Sequence, residues 1–298
     1  MSDPVEEFAA TVGDTDPVVV RGAGTRWQVG GSPVAEAREV QAPAGIVEYA
    51  PEEMTVTVRA GTPISELHAE LGAHGQRTNL DDEAGTVGGS LAVGRDTVHR
   101  RGRGLARDVL LQARYVSAEG RVIVAGGPTV KNVTGFDLCR LLVGSLGTLG
   151  LMAEVILRTR PVPATRRWLA ADGVDPHIGR GARTASAVLW DGATTWVHLE
   201  GHGVDVDADA RGLDQFHEVA GPPPLPRHRW SMRPSQIGAI DPAATGPFVA
   251  EIGVGTVHAS EARPRPVVDD GVRRLTEVVK QQFDPTGRLN PGRDPLAA

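Results

Sequence analysis

Two short glycine-rich turns are the parts of this sequence best suited to binding a phosphate group. Residues 21–26 read RGAGTR and follow the apolar run Val18–Val20, and residues 85–94 read GTVGGSLAVG. In such turns successive backbone N–H groups can converge on phosphate oxygens, and the second turn also resembles a helix start with free N–H groups. We therefore expect both turns to face a diphosphate. For residues 21–26, an ordinary β-turn without a ligand is the alternative.

A longer glycine-rich stretch, residues 127–157, links the other elements of the chain. Its glycines flank an apolar, helix-like piece at residues 136–143 and precede a β-branched run at residues 152–159. Glycine at this density between buried-looking elements indicates a backbone that another group approaches closely. We expect this group to be a bound ligand, with Lys131 and Asn132 beside one of the glycine turns.

The glycine spacing does not predict a nicotinamide-dependent dehydrogenase. Gly22 and Gly24 are followed by Thr-Arg-Trp-Gln-Val, which does not begin an obvious helix. No glycine turn of this chain forms a convincing strand–GxGxxG–helix unit with an acidic residue about 20 positions later. Residues 144–150 fit GxxGxxG, but this spacing alone is weak evidence.

Composition excludes several classes of protein. The net charge of −6 over 298 residues argues against nucleic-acid binding, which needs a concentrated basic surface. The single cysteine, Cys139, excludes an intrachain disulfide framework and favours a cytoplasmic location. The acidic N-terminus lacks the apolar core of a secretory signal. No stretch reaches the roughly 18 uninterrupted apolar residues of a membrane span, so we expect no direct membrane span.

Two charged stretches lie close to the second turn. Residues 95–107 carry five arginines. We expect these arginines to form a solvated rim, with docking of a partner protein or an anionic substrate as the alternative. Residues 81–83 are acidic and are expected to form a solvated loop, because two aspartates and a glutamate without a histidine are a weak metal signal. We therefore expect no metal site.

Apolar patterns predict an α+β fold. Residues 54–59 alternate as a half-buried strand does, and residues 109–124 read as a hairpin around a Glu-Gly turn. Composition changes after Pro161 and Pro163, and beyond them residues 208–217 and 271–283 read as helices. We expect a first domain over residues 1–160, a second and smaller α+β domain over residues 161–280, and a turn-rich tail over residues 281–298.

Four segments in the right order resemble a known family. They are residues 21–26, 85–94, 131–157 and 283–293, the last reading FDPTGRLNPGR. Together they resemble the FAD-linked oxidases of the vanillyl-alcohol oxidase / p-cresol methylhydroxylase type, and among these the FAD-binding subunit of bacterial glycolate oxidase. The resemblance implies an α+β FAD-binding domain of two subdomains, about residues 1–60 and 61–160, a small α+β cap, and a tail that returns to the FAD-binding domain.

The resemblance also implies a set of residues around FAD. The turns at 21–26 and 85–94 would hold the pyrophosphate, and the segments around 132–137 and 147–150 would line the ribityl and isoalloxazine side. The strand around Val155 would lie near the adenine. The implied cofactor-binding residues are Arg21, Gly22, Ala23, Gly24, Thr25, Arg26, Gly85, Thr86, Gly88, Gly89, Ser90, Asn132, Thr134, Gly135, Asp137, Gly147, Gly150, Val155 and Asn290.

Departures from the family pattern decide what else is expected. Covalent members carry a histidine in the first loop, and residues 21–26 contain none, so noncovalent FAD is expected; a covalent link through Cys139 is not. Catalytic members carry a histidine-rich, metal-binding motif in the cap, and the comparable stretch here ends in a single histidine, His258. We take Lys131, Arg229 and His258 as weak catalytic candidates, each with a plain structural role as the alternative.

Two functions from different classes follow. The first is a FAD-dependent oxidoreductase, or a subunit of one, that acts on a small 2-hydroxy acid such as glycolate. The second is a noncatalytic FAD-carrying assembly subunit that needs a catalytic flavoprotein and an iron–sulfur partner. A cell-wall precursor reductase of the same fold is a further alternative, although its catalytic motifs are not recognised in this sequence.

Overall fold

A computed structural model of the protein describes residues 3–80, 84–128, 137–263 and 267–297. Of the predicted site residues, Lys131, Asn132, Thr134 and Gly135 lie outside the described residues, as do the acidic residues 81–83. The helices of the described residues are α1 (Pro4–Val12), α2 (Ile64–Ala73), α3 (Val87–Val93), α4 (Arg100–Arg103), α5 (Leu138–Leu142), α6 (Gly203–Arg211), α7 (Pro242–Thr245) and α8 (Asp270–Phe283).

The strands belong to two larger sheets and two short pairs. In chain order they are β1 (Val18–Val20), β2 (Arg38–Val40), β3 (Ile46–Ala50), β4 (Thr55–Arg59), β5 (Gln76–Arg77), β6 (Leu110–Val116), β7 (Val122–Gly126), β8 (Leu151–Arg158), β9 (Arg160–Pro161), β10 (Thr165–Asp172), β11 (Ala185–Trp190), β12 (Thr194–Gly201), β13 (His217–Val219), β14 (His228–Ser231), β15 (Phe248–Glu251) and β16 (Thr256–Ala259).

The chain divides into two compact units. The first unit comprises Met1–Thr97, Leu105–Val162 and Val267–Ala298, and the second comprises Val98–Gly104 and Pro163–Pro266. Most of helix α8 falls within the predicted cap, residues 161–280, whereas α8 belongs to the first unit. The arginine-rich helix α4 joins the second unit although the residues on both sides of it belong to the first.

A five-stranded antiparallel sheet, in the order β3-β4-β8-β6-β7, supports the first unit. Strand β4 shows the alternation expected of residues 54–59, because Val56 and Val58 are fully buried while Thr55 and Thr57 are partly exposed. Helix α2 packs Ile64, Leu67 and Leu71 into the same core. This sheet and its core therefore support the glycine-rich turns that precede α3 and β8.

A smaller layer of the first unit joins the two ends of the chain. Strands β1 and β2 pair in parallel, and Leu289 of the C-terminal tail forms a bridge to Val18. Arg288 is 2% exposed, and its guanidinium donates to the carbonyls of Asp16, Ala118 and Val12 at 2.8–3.1 Å. The tail is thus an internal part of the first unit.

A seven-stranded antiparallel sheet, in the order β13-β10-β12-β11-β15-β16-β14, forms the second unit. Its apolar core includes Val188, Val197 and Ile252. The predicted helix at residues 208–217 is shifted, because the observed helix α6 is Gly203–Arg211 and His217 begins a strand. The helix is anchored by buried Val206 and by Asp209, which accepts two hydrogen bonds of 2.7 Å from Thr184.

Candidate cofactor site

The turn at residues 21–26 presents a row of backbone donors. The N–H of Arg21 donates to the carbonyl of Val40 at 3.0 Å, and the N–H of Trp27 donates to the carbonyl of Gly24 at 3.2 Å. Between them, the N–H groups of Gly22, Ala23, Gly24 and Thr25 donate to no acceptor in the described part of the chain. Gly24 has φ +74°, a left-handed conformation that glycine adopts without steric cost. Unpaired consecutive N–H groups of this kind suit an anion.

The turn at residues 85–94 differs from the expectation of a helix start with free N–H groups. The N–H of Val87 donates to the carbonyl of Thr62 at 2.9 Å, and that of Gly88 to the carbonyl of Ala60 at 2.7 Å. The N–H of Gly89 donates to Thr86 Oγ1 at 3.2 Å, so Thr86 caps α3. A Cβ on Gly88 would lie 2.7 Å from the Cβ of Ala60. Gly88 therefore allows this turn to pack closely against Ala60, and its N–H is not available to a ligand.

Two adjoining cavities of the first unit lie between these turns. Their volumes are about 90 and 280 Å³, and they share Val20, Gly22, Thr86, Leu146 and Asn290 among their lining residues. A Cβ on Gly22 would overlap Thr86 Oγ1, so a glycine at this position keeps the two turns close. The cavities have the mixed lining of a small-molecule site, with apolar walls and a few polar groups.

Most of the described residues predicted to bind the cofactor come together here. The predicted residues that line one or both cavities are Arg21, Gly22, Ala23, Gly24, Thr25, Arg26, Gly85, Thr86, Gly88, Gly89, Ser90, Gly147, Gly150 and Asn290. Arg26 also donates to Ser90 Oγ at 3.3 Å, which connects the two turns directly.

Two predicted residues lie elsewhere in the first unit. Val155 is 1% exposed in β8, where it pairs with Val58 and Ala113 in the centre of the sheet and lines neither cavity. Asp137 is exposed, caps helix α5 by accepting from the N–H of Arg140, and forms an ion pair of 2.8 Å with the same arginine. Both side chains have structural partners that account for them.

The C-terminal tail supplies Asn290 to the wall of both cavities. Asn290 is 5% exposed, and its Oδ1 accepts from the N–H of Val20 at 2.9 Å while its Nδ2 donates to the carbonyl of Leu146 at 2.9 Å. Its φ of 44° is in the left-handed region, which asparagine tolerates better than most residues. A Cβ on Gly147 would collide with the Asn290 amide, so glycine at position 147 leaves room for this side chain.

Trp27 and Arg293 line the smaller cavity and were missed by the sequence analysis. The guanidinium carbon of Arg21 lies 5.0 Å from the Trp27 ring centroid, and that of Arg293 lies 4.6 Å from it. Arg293 also donates to the carbonyls of Trp27 and Val29, the latter at 2.8 Å. Burial lowers the pKa of Arg293 from its usual range. The only sequence signal was the arginine that ends the motif at residues 283–293.

Among the described residues that line the two cavities there is no histidine or cysteine. Cys139 is 2% exposed in α5, where its Sγ lies 3.4 Å from the carbonyl oxygen of Ala125. Burial raises the pKa of the Cys139 thiol from 9.0 to about 11. A neutral, buried thiol is a poor nucleophile, which agrees with the structural role expected for this residue.

In the second unit the catalytic candidates Arg229 and His258 meet at a third residue, Glu251. Arg229 and His258 are register partners of β14 and β16. Glu251 is 1% exposed, and its Oε1 lies 2.9 Å from His258 Nε2 and 3.7 Å from a terminal nitrogen of Arg229. Its Oε2 is buried and has no hydrogen-bond partner in the described residues. Glu251 was missed because nothing near it in sequence marks a buried carboxylate.

A comparison with known families decides the ligand of the first unit. Residues 5–126 match the FAD binding domain family. These residues form a FAD binding domain. The match contains the turn with unpaired N–H groups, the α3 turn and most of the cavity wall, and it confirms FAD as the cofactor expected from the sequence.

Curated relatives extend the likeness beyond the FAD binding domain. The chain is 31% identical over 228 residues to glycolate oxidase subunit GlcE of Escherichia coli strain K12, which covers 73% of this chain and 65% of that protein. It is 30% identical over 178 residues to glycolate oxidase subunit GlcD of Bacillus subtilis strain 168, covering 58% and 37% of the two chains. A D-lactate dehydrogenase of Archaeoglobus fulgidus is 32% identical over 148 residues, covering 49% and 33%. The chain thus spans less than two thirds of each relative's length.

Solved structures show the same fold. Two crystal structures of alkyldihydroxyacetonephosphate synthase match with TM-scores of 0.71 and 0.72, each at 14% sequence identity. They cover 96% of this chain and 73% and 74% of those chains, respectively. The expected α+β fold with a FAD binding domain is confirmed.

The residues around the two cavities fit FAD. The unpaired N–H groups of Gly22 to Thr25 would hold its anionic diphosphate, with Arg21 and Arg26 adding positive charge. When bound, FAD supplies a redox centre that accepts electrons from a substrate. Leu146 and Met152 give the same space an apolar wall.

Two further observations concern metal and membrane. Within residues 3–80, 84–128, 137–263 and 267–297, no group of three or more His, Cys, Asp or Glu side chains is placed to hold a metal ion. In the same part of the chain, none of the helices combines the length and the apolar character needed to cross a membrane.

Proposed function

We propose that this chain is a FAD-dependent oxidoreductase, or a subunit of one, that acts on a small 2-hydroxy acid such as glycolate. The cavity in the FAD binding domain, with its four unpaired N–H groups, is the observation that carries the redox part of the proposal. The names of the relatives, glycolate oxidase subunits and a D-lactate dehydrogenase, support the substrate class. The single cysteine keeps a cytoplasmic location as our expectation.

We assign the substrate contacts to the second unit, expected from the sequence to be a cap. There Arg229 places a positive charge 3.7 Å from Oε1 of Glu251. His258 Nε2 lies 2.9 Å from Oε1 of the buried Glu251, which fixes the orientation of the imidazole. A histidine held in this way could accept the proton of a substrate hydroxyl, with Glu251 as the residue that positions it.

Anaerobic reduction tests this function. The FAD-loaded chain is mixed with glycolate or D-lactate, and the loss of the visible flavin absorbance is followed. We expect at least one 2-hydroxy acid to bleach the flavin and the variant Arg229→Gln to slow bleaching at least tenfold. Arg227→Gln, two residues earlier and exposed, is the matched control and should bleach at the wild-type rate. If no 2-hydroxy acid bleaches the flavin, the catalytic form of the proposal is wrong.

A noncatalytic FAD-carrying assembly subunit of a heteromeric, glycolate oxidase-like complex is the second candidate. It is favoured by the names of two relatives, which are subunits of glycolate oxidase, and by Glu251, which already engages both catalytic candidates. Under this candidate, the tagged chain copurifies with a catalytic flavoprotein and an iron–sulfur protein and shows no turnover alone. Full turnover by an isolated monomer would contradict it.

Noncovalent attachment of FAD is a separate part of the proposal. It is supported by the lack of histidine and cysteine in the lining of the two cavities. We expect acid precipitation to leave a colourless pellet and to release FAD into the supernatant. A yellow pellet would contradict noncovalent attachment without affecting the assignment of the cofactor.

A further inference from the structure

The second unit contains two arginines whose guanidinium groups lie close together. Arg101 belongs to α4, and its Nε and one terminal nitrogen donate to the carbonyls of Ala185 at 3.2 Å and of Arg180 at 2.8 Å. Its other terminal nitrogen donates to no acceptor in the described residues. The exposed side chain of Arg180 forms no hydrogen bond or ion pair with the described part of the chain.

Both guanidinium groups converge on one glycine. A Cβ placed on Gly253 would lie 3.4 Å from Nε of Arg180 and 3.8 Å from the unpaired terminal nitrogen of Arg101. Gly253 has φ +82°, which glycine adopts readily and a residue with a side chain does not. On either side of it, the N–H of Ile252 donates to Val188 and that of Val254 to Glu251, whereas the N–H of Gly253 donates to no described acceptor.

The charges at this place are not balanced by the described residues. No carboxylate forms an ion pair with either guanidinium, and the nearby carboxylate of Glu251 is engaged by His258. Burial lowers the pKa of Arg101, and the positive charge of Arg180 lowers it further. Two neighbouring cations with unused donors repel each other, and an anion between them removes the repulsion. Planar guanidinium groups match the geometry of a carboxylate or a phosphate.

We propose that Arg101, Arg180 and Gly253 form a binding site for the carboxylate of a small organic acid. The choice of carboxylate over phosphate rests on the proposed function, because a 2-hydroxy acid carries that group. The site itself stands on the geometry of the two arginines. The site also gives Arg101, one of the arginines of residues 95–107, a role other than in a solvated rim. Two backbone carbonyls hold its guanidinium, and one terminal nitrogen remains available to a ligand.

Titration calorimetry of the FAD-loaded chain tests the site, with oxalate as the probe. Oxalate is a carboxylate without a hydroxyl-bearing carbon, so binding is measured without oxidation. We expect Arg180→Gln to bind oxalate at least tenfold more weakly than the wild type. The Arg180 side chain is exposed and forms no hydrogen bond or ion pair with the described residues, so this variant should fold. The matched control is Arg183→Gln, an exposed arginine of the same unit, which should bind oxalate as the wild type does.

Thermal unfolding at low ionic strength adds a readout that a purely structural arginine would not produce. Without added anion, Arg180→Gln should melt no lower than the wild type, because it removes a like-charge repulsion. Oxalate should raise the melting temperature of the wild type and of Arg183→Gln but not of Arg180→Gln. Equal oxalate affinity in the wild type and Arg180→Gln would overturn the site. An equal loss of oxalate affinity in Arg180→Gln and Arg183→Gln would also overturn it.

Inorganic phosphate and glycolate distinguish the remaining outcomes. Tighter binding of phosphate than of oxalate at this site would overturn the carboxylate assignment. Bleaching of the flavin by glycolate reports the proposed function independently. If oxalate binds as expected and no 2-hydroxy acid bleaches the flavin, the proposed function fails and the site stands. If a 2-hydroxy acid bleaches the flavin but oxalate binding does not depend on Arg180, the site fails and the proposed function stands.

Discussion

Asn290 offers the sharpest test of how the C-terminal tail builds the cofactor site. In Asn290→Ala, the N–H of Val20 and the carbonyl of Leu146 lose their side-chain partners, each now at 2.9 Å. A buried polar group left unpaired costs roughly 1–3 kcal/mol, so the two together cost about 3 kcal/mol. Alanine at the observed φ of 44° adds about 1 kcal/mol. The expected loss in the free energy of unfolding is therefore about 4 kcal/mol.

Two further variants separate these contributions. Asn290→Gly removes the cost of the left-handed backbone but not the loss of the two hydrogen bonds. Asn290→Asp keeps an acceptor for the N–H of Val20 but places a buried carboxylate against the carbonyl of Leu146, so its loss at neutral pH should be at least that of the alanine variant. The stability order should be wild type, then glycine, then alanine, with aspartate no more stable than alanine.

Urea unfolding of the apoprotein measures the change in the free energy of unfolding. FAD titration by flavin fluorescence measures the change in cofactor affinity. Because Asn290 borders both cavities and packs on Gly147, we expect the alanine variant to bind FAD at least tenfold more weakly. Thr286→Ala, on an exposed turn of the same tail, is the control and should change neither quantity. A free energy of unfolding within about 1 kcal/mol of wild type for Asn290→Ala would refute the reasoning, since even one unpaired buried group costs that much.

Two other predictions concern the first unit. Gly22→Ala places a methyl group against Thr86 Oγ1 and should weaken FAD binding at least tenfold, about 1.4 kcal/mol, in a fluorescence titration; Gly72→Ala, where a Cβ meets nothing within 4 Å, should leave it unchanged. Burial raises the pKa of Cys139 from 9.0 to about 11, so the unfolded chain releases the thiol proton first. Wild-type stability should therefore fall between pH 9 and 11 by up to about 3 kcal/mol. Thermal melts should show a smaller fall for Cys139→Ala, and equal slopes would count against a buried thiol.

Local patterns in the sequence predicted the elements that carry the site. A tight glycine turn after an apolar strand has few alternative conformations, so the residue types at 21–26 predict an anion site, with an ordinary β-turn as the alternative. The alternation at residues 54–59 likewise predicted β4, because one face of a strand must be apolar to join the core. The resemblance of four ordered segments supplied the FAD assignment and the fold.

Hydrogen-bond partners and burial were decided by residues far apart in the chain. The glycine turn before α3 reads as a row of free donors, yet the carbonyls of Ala60 and Thr62 from a preceding loop occupy two of them. Val155 reads as part of a cofactor wall, yet its neighbours Val58 and Ala113 in adjacent strands close over it. Neither partner can be identified from the residues next to it in sequence.

The sequence by itself determined that this chain carries glycine turns suited to a diphosphate, an α+β pattern and no histidine at residues 21–26. Such features depend on residue types and short spacings, which act locally. Tertiary structure alone decided that Asn290 joins Val20 to Leu146, and that Glu251 joins Arg229 to His258. It also placed Arg101 beside Arg180 at Gly253. These sites exist because pairing of distant strands and docking of the tail bring together polar groups that no local pattern connects.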